Sequence, residues 1–317
     1  MSWEKDPLVA KAKLFFGYAF GVPREDPRFG LYAAMGLELL ARGAVASVSP
    51  TLLAEPSGDH KHLLYALGRD TTRGSNRSIG TSRVLQLCQQ LFSDFTNEDR
   101  SSASALVNRR NDELHSGVSA FSEYTTQEWI AGFYRCCSVL AAVCDEDLES
   151  IFGVGEAKIA KETIEKFDRK VLSKVKGTIA AHKKVFASLK KVERDAKIEK
   201  AKKESDLLAY QNHHRVKCPA CGAVATVEGQ VFGAVTVMQE LEQVVTKQAV
   251  MPESFSCVAC GLELSGFSEL VAADLGDQYT RTIYSSPEEY YGLVNPESLE
   301  QIRWLAGEHY GLEYNNE

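Results

Sequence analysis

Within six residues, Arg110-Asn111-Asp112-Glu113-Leu114-His115 gathers a fixed cation, an amide and an imidazole that titrates near neutral pH. Arg grips a phosphate through two parallel N–H donors, and His moves a proton in either direction. Together they are equipped to cleave a phosphodiester without a metal. A second group follows downstream: Cys218-Pro-Ala-Cys221-Gly and Cys257-Val-Ala-Cys260-Gly. Two CxxC pairs match a four-thiolate zinc site. Gly222 and Gly261 allow the tight turn that aims backbone amides at sulfur. Four protein ligands leave no open position, so the one Zn2+ expected here is structural rather than catalytic.

The elements around the first run must place it. Five helical residues turn through about 500°, which leaves Arg110 and His115 about 140° apart, whereas Asn111 and His115 share a face. The pair therefore makes most sense near a helix end, or where two copies of the run face each other. Thr96-Asn97-Glu98-Asp99 reads as the start of its helix, which runs to about His115 with Gly117 as the stop. Apolar spacing predicts further helices from Leu8 to Ala19, Leu31 to Val48, His60 to Leu67, Ser82 to Phe92 and Trp129 to Val143. No strand is predicted before residue 200, so residues 1–150 read as an all-α bundle.

In this setting the run resembles the signature of the HEPN superfamily: Arg, four to six intervening residues, then His, with Asn directly after the Arg a favoured variant. The preceding Val84-Leu85-Gln86-Leu87-Cys88, Leu114 before the His and Ser116-Gly117 after it fit the same pattern. The resemblance covers roughly residues 8–145. It implies an all-α fold, a homodimer with the two runs at its interface, and metal-independent RNA cleavage, often in toxins or anti-phage defence effectors. Arg110 and His115 would be the catalytic pair and Asn111 the polar assistant. Asp112 and Glu113 are not signature positions, and their charge disfavours a polyanion unless they face away.

The remaining segments are a charged helical arm over 151–212, a β-rich zinc ribbon over 213–275 and an acidic, aromatic segment over 276–317. The chain is thus expected to be mainly α with one small β module. From Glu156 to Asp206 there are 16 Lys and Arg against 9 Asp and Glu, within a chain of net charge −7. The arm is predicted to be an amphipathic rod or an antiparallel helical hairpin, its lysines a solvated face or a nucleic-acid contact. Val235 to Lys247 is predicted helical, and Pro296 to Ala306 a last helix. Cys88, Cys136, Cys137 and Cys144 read as reduced core residues. His60 and His62 read as surface or capping residues, and His213 and His214 as linker residues or spare metal ligands. Arg69, Arg73, Arg77 and Arg83 recur through and just beyond a Gly/Ser-rich stretch, 68–81, that could clamp phosphates or simply be solvated.

No run of 18 apolar residues is present and no cleavable leader is read, so the expectation is a cytoplasmic protein off the membrane. Walker, GxGxxG and GxSxG motifs are missing from the sequence. The composition excludes a disulfide scaffold and wholesale disorder. The expected partners are an RNA substrate, a second copy and a regulatory protein. The competing reading is a non-catalytic HEPN-like adaptor or nucleic-acid-binding protein that uses the zinc ribbon and basic arm.

Overall fold

The computed structural model describes residues 3–69, 76–209, 213–240 and 243–292. Two compact units make it up: Met1–Gly233 with Met251–Tyr279, and Ala234–Val250 with Thr280–Glu317.

The first unit opens with helices α1 (Lys5–Phe20) and α2 (Pro27–Val48), a 3-10 turn (Pro50–Leu53), α3 (Lys61–Ala66), α4 (Thr81–Leu91), α5 (Asn97–His115), α6 (Ala120–Glu123), α7 (Thr126–Val143) and α8 (Leu148–Phe152). Its described residues hold no strand before residue 200 beyond a single bridge between Ala54 and Ser78. Small residues on α2 let α1 lie close. A Cβ on Gly36 would stand 2.4 Å from the Phe16 ring, and one on Gly43 would stand 2.9 Å from Val9. Phe16, Phe133 and Phe152 then lock α1, α7 and α8 together, with ring centroids 5.0–5.9 Å apart. The length and composition of α2 would suffice to cross a membrane. Its apolar residues, Phe29, Leu37, Leu40 and Val45 among them, are instead buried against the other helices.

Helix α5 is delimited by local chemistry. Thr96 Oγ1 accepts from Asp99 N–H, and the Asp99 carboxylate accepts from Thr96 N–H at 2.9 Å, a reciprocal cap. At the other end Ser116, not Gly117, stops the helix. Ser116 turns to extended backbone, and its hydroxyl donates to the Asp112 carbonyl at 2.6 Å, so no left-handed glycine is needed.

The arm is two helices, α9 (Val154–Ser188) and α10 (Lys191–Ala209), that do not pack along each other; the hairpin alternative is corrected. Thirty-five helical residues make α9 a rod about 50 Å long. Ala157 and Ala160 join the helical core, whereas Val175 and Phe186 join a second core built on the cysteine module. Ala201 of α10 is buried in that second core as well.

The cysteine module contributes β1 (His214–Lys217), β2 (Val224–Gln239), β3 (Val244–Ser256), β4 (Glu263–Ser265), helix α11 (Phe267–Ala272) and the start of β5 (Tyr279–Ser285). The strands are ordered β1-β2-β3-β4, with β5 also on β3. His214 pairs with Val227 and Phe255 with Leu264, both antiparallel. The helix expected over Val235 to Lys247 is not found among the described residues: 235–239 belong to β2 and 244–247 to β3. Val235, Thr236, Val237, Val244, Val245 and Thr246 are β-branched, and such side chains fit a pleated surface better than a helix. Gly229 is required by the closeness of these strands, because a Cβ there would lie 2.0 Å from the Met251 carbonyl oxygen.

In the second unit, the β3 residue Thr246 donates its hydroxyl to the Ile283 carbonyl on β5 at 3.5 Å. Helix α12 (Pro287–Tyr290) follows, capped by Ser286. The helix expected from Pro296 to Ala306, with Trp304, Tyr310 and Tyr314, lies outside the described residues, as does Arg73.

Candidate functional site

The whole Arg110–His115 run lies within α5, so its residues keep the helical offsets given by the sequence. Arg110 is half-buried and turns toward α2, where its guanidinium pairs with Glu38. Glu38 is a hub. Arg42, one turn further along α2, donates to its Oε1 at 2.9 Å, and the Thr81 hydroxyl donates to the same oxygen at 2.6 Å. Arg42 also donates to Ser78 Oγ at 3.0 Å and to the Ile79 carbonyl at 3.1 Å. Two guanidiniums thus share one carboxylate, which leaves the cluster a net positive charge. Arg110 Nε is buried with no hydrogen-bond partner among the described residues.

The Gly/Ser-rich stretch is therefore joined to this cluster through its C-terminal end, Ser78 to Thr81. Arg69 is exposed, and Arg83 reaches Gln86 at 2.7 Å. The Arg77 amide donates to His62 Nδ1 at 3.1 Å, and His62 is only 4% exposed. The expectation of a surface His62 is thus corrected. The ring fills a buried position because a backbone donor from the returning loop satisfies its nitrogen. Glu38 and Arg42 were not singled out from the sequence. The available signal was two opposite charges four apart inside an otherwise apolar helix, since charges there are seldom buried unless paired.

Asn111 and His115 share the opposite, solvent side of α5, and both are exposed. Neither side chain makes a hydrogen bond to the described residues. Leu114 and Val118 beside them are about half-exposed apolar side chains. Glu113 faces away and accepts from the Phe121 amide at the start of α6, at 3.3 Å. Within one chain, then, Arg110 is aimed at α2 while Asn111 and His115 are aimed outward.

The four cysteines come together. Their sulfurs lie within 4.8 Å of one another, with Cys218–Cys260 and Cys221–Cys257 each 3.6 Å apart. Tetrahedral thiolates at zinc bond lengths stand about 3.8 Å apart, so the cluster could hold one metal ion and is compatible with Zn2+. The two knuckles repeat one geometry. Gly222 N–H donates to the Cys218 carbonyl at 2.9 Å and Gly261 N–H to the Cys257 carbonyl at 2.8 Å. Both glycines have positive φ, 76° and 71°, a conformation costly for other residues. A Cys218 thiolate is held down to about 5 by the Cys257 S–H and by the Cys221 and Ala220 amides. Cys257, the donor, is pushed up, and burial pushes Cys260 up to about 12. A central cation would favour the ionised form of all four thiols. Neither His213 nor His214 joins the cluster; His214 sits in β1 and stacks on Tyr279 at 4.5 Å. His182 of α9 bonds the Cys260 carbonyl at 2.9 Å and ties the rod to one knuckle.

Cys88, Cys136, Cys137 and Cys144 are all buried, as expected, and burial raises each thiol, Cys144 to about 11. A cavity of 690 Å³ next to the start of α5 is lined by Glu98, Glu228 and Glu253, a lining that repels a polyanion. Comparison with known proteins finds no matching family model, no matching characterised protein and no matching solved structure.

Proposed function

We propose that the protein is a HEPN-type, metal-independent endoribonuclease that works as a homodimer and carries a structural zinc ribbon. The observation that carries this reading is the cationic Glu38–Arg42–Arg110 cluster behind an exposed Asn111–His115 face at the end of α5. RNA brings its own nucleophile. A neutral His115 takes the proton of the 2′-OH, which attacks the neighbouring phosphorus. Charge collecting on the phosphoryl oxygens is met by Arg110, held by Glu38. The partner's His115 protonates the departing 5′ oxygen, leaving a 2′,3′-cyclic phosphate and a 5′-OH. The 140° offset between Arg110 and His115 favours a site completed by a second copy, and the exposed Leu114 and Val118 supply apolar surface for such an isologous contact. Cys218, Cys221, Cys257 and Cys260 would hold the zinc, which would stabilise the ribbon and take no part in bond cleavage.

The test is incubation of the purified protein with total RNA in EDTA. Cleavage to cyclic-phosphate ends, lost in a folded His115→Ala variant, is the expected result. Cleavage unchanged in that variant overturns the mechanism. A folded protein that cuts no RNA favours the adaptor reading, in which Arg110 serves only to pair with Glu38. Sedimentation at micromolar concentration is expected to give a dimer of twice 35.0 kDa.

A further inference from the structure

We infer that the solvent face of α9 is a binding face for the phosphate backbone of RNA, separate from the Arg110–His115 site. From Arg169 to Lys191 the sequence has eight Lys and Arg and no Asp or Glu. All eight are exposed. Lys174 pairs with Glu269 at 2.7 Å; the other seven have no carboxylate within ion-pair distance among the described residues.

The helix phase explains why these charges face outward together. Val175, Ile179, His182 and Phe186 line the side of α9 that packs on the cysteine module. At about 100° per residue, Arg169, Lys170, Lys176, Lys183 and Lys184 fall on the remaining arc. From Arg169 to Ser188 that arc extends about 30 Å, with no acid to interrupt it. Phosphates recur along a nucleic-acid strand at a few ångströms, so a straight row of cations this long can neutralise several at once and release their counterions.

Two other polyanionic partners fit less well. A helix that lies on an anionic lipid surface inserts its apolar face, but the apolar face of α9 is occupied by the second core. An acidic protein would be held by a buried aromatic or Arg anchor at the centre of its contact, and here the exposed arc is lysine-rich with scattered aliphatics such as Leu172 and Val185. Helix α10 serves as an internal contrast, because beyond Lys191 its five Lys and Arg are interleaved with five Asp and Glu.

The two sites are separate. The start of α5 is tied to α11, with Glu98 accepting from the Ser268 amide at 3.0 Å, and α11 packs on α9. Arg110 lies twelve residues further along α5, about 18 Å. The identity of the ligand as RNA rests on the ribonuclease reading; the cationic face does not.

The experiment uses the full-length His115→Ala protein and fluorescence anisotropy with a labelled single-stranded RNA of about 20 nucleotides. Lys183→Glu/Lys184→Glu is expected to weaken binding by about tenfold or more and to lower the slope of log affinity against log salt by about 1.4, two charges at about 0.7 each. Lys197→Glu/Lys200→Glu on α10 is expected to change both much less. Unchanged affinity in the α9 variant, or equal losses in the two variants, overturns the proposal. So does a protein that binds phosphatidylserine vesicles or polyglutamate through Lys183 and Lys184 but not RNA. RNA that is bound through α9 yet never cut by the parent chain upholds this face and sinks the ribonuclease reading alone.

Discussion

Glu38→Gln tests whether the carboxylate on α2 holds Arg110 in place. The substitution keeps the shape of the side chain and one carbonyl acceptor but removes the charge that Arg42 and Arg110 share. The three side chains are 14–18% exposed. Breaking a fully buried pair costs about 3–5 kcal/mol, and an exposed pair is worth under about 1 kcal/mol. A doubly used carboxylate at this depth lies between, at about 2–3 kcal/mol. At about 2–4 °C per kcal/mol, the helical part should melt about 4–12 °C lower, read by circular dichroism. In a cycle with Arg110→Met, the two changes should couple by about 1 kcal/mol or more. RNA cleavage should fall in Glu38→Gln, and it should fall in Arg110→Lys as well, because a lysine cannot replace the planar fork. Melting within about 1 °C of the parent, with the two substitutions additive to about 0.5 kcal/mol, would refute the claim that Glu38 positions Arg110.

Three further outcomes follow from other parts of the molecule. Gly36→Val should destabilise the helical part by about 2–3 kcal/mol in urea titrations, since its Cβ would lie 2.4 Å from the Phe16 ring and α1 would have to shift. If the four cysteines hold a metal, a thiolate-competitive chelator should unfold the cysteine module while the α1–α7 core persists, and should render Cys218, Cys221, Cys257 and Cys260 alkylable while Cys88, Cys136, Cys137 and Cys144 stay protected; mass spectrometry of the alkylated peptides gives the count. Glu146 is held below its ordinary 4.5 by Ser150 and then Lys13. A lowered folded-state value stabilises above the unfolded value and is lost as pH falls through the folded one, so Glu146→Gln should flatten the acid limb of stability against pH below about 5.

Most helix positions were legible where short-range chemistry decides them, the stop of α5 at Ser116 rather than Gly117 being an exception. The Thr96–Asp99 cap and the apolar spacing of α1, α2 and α7 act within one or two turns and appear in the chain where they were expected. The cysteine cluster was legible for a related reason: CxxC-Gly is a local turn, and two such turns have one stable way to satisfy four thiolates. Misreadings arose where the deciding partner is distant in sequence. His62 looked like a surface residue because the Arg77 amide that satisfies it arrives from fifteen positions away. Val235 to Lys247 looked helical because a hairpin is stabilised across strands rather than along one. The arm could have folded back on itself; packing Val175, Phe186 and Ala201 against the cysteine module decided otherwise. The sequence by itself determined which residues could do chemistry, Arg110, Asn111, His115 and the four cysteines, because reactivity belongs to the side chain. Only the tertiary structure decided that Arg110 is tied inward to Glu38 while His115 is presented outward, because that depends on α2 and α5, seventy-two residues apart at the contact, being packed face to face.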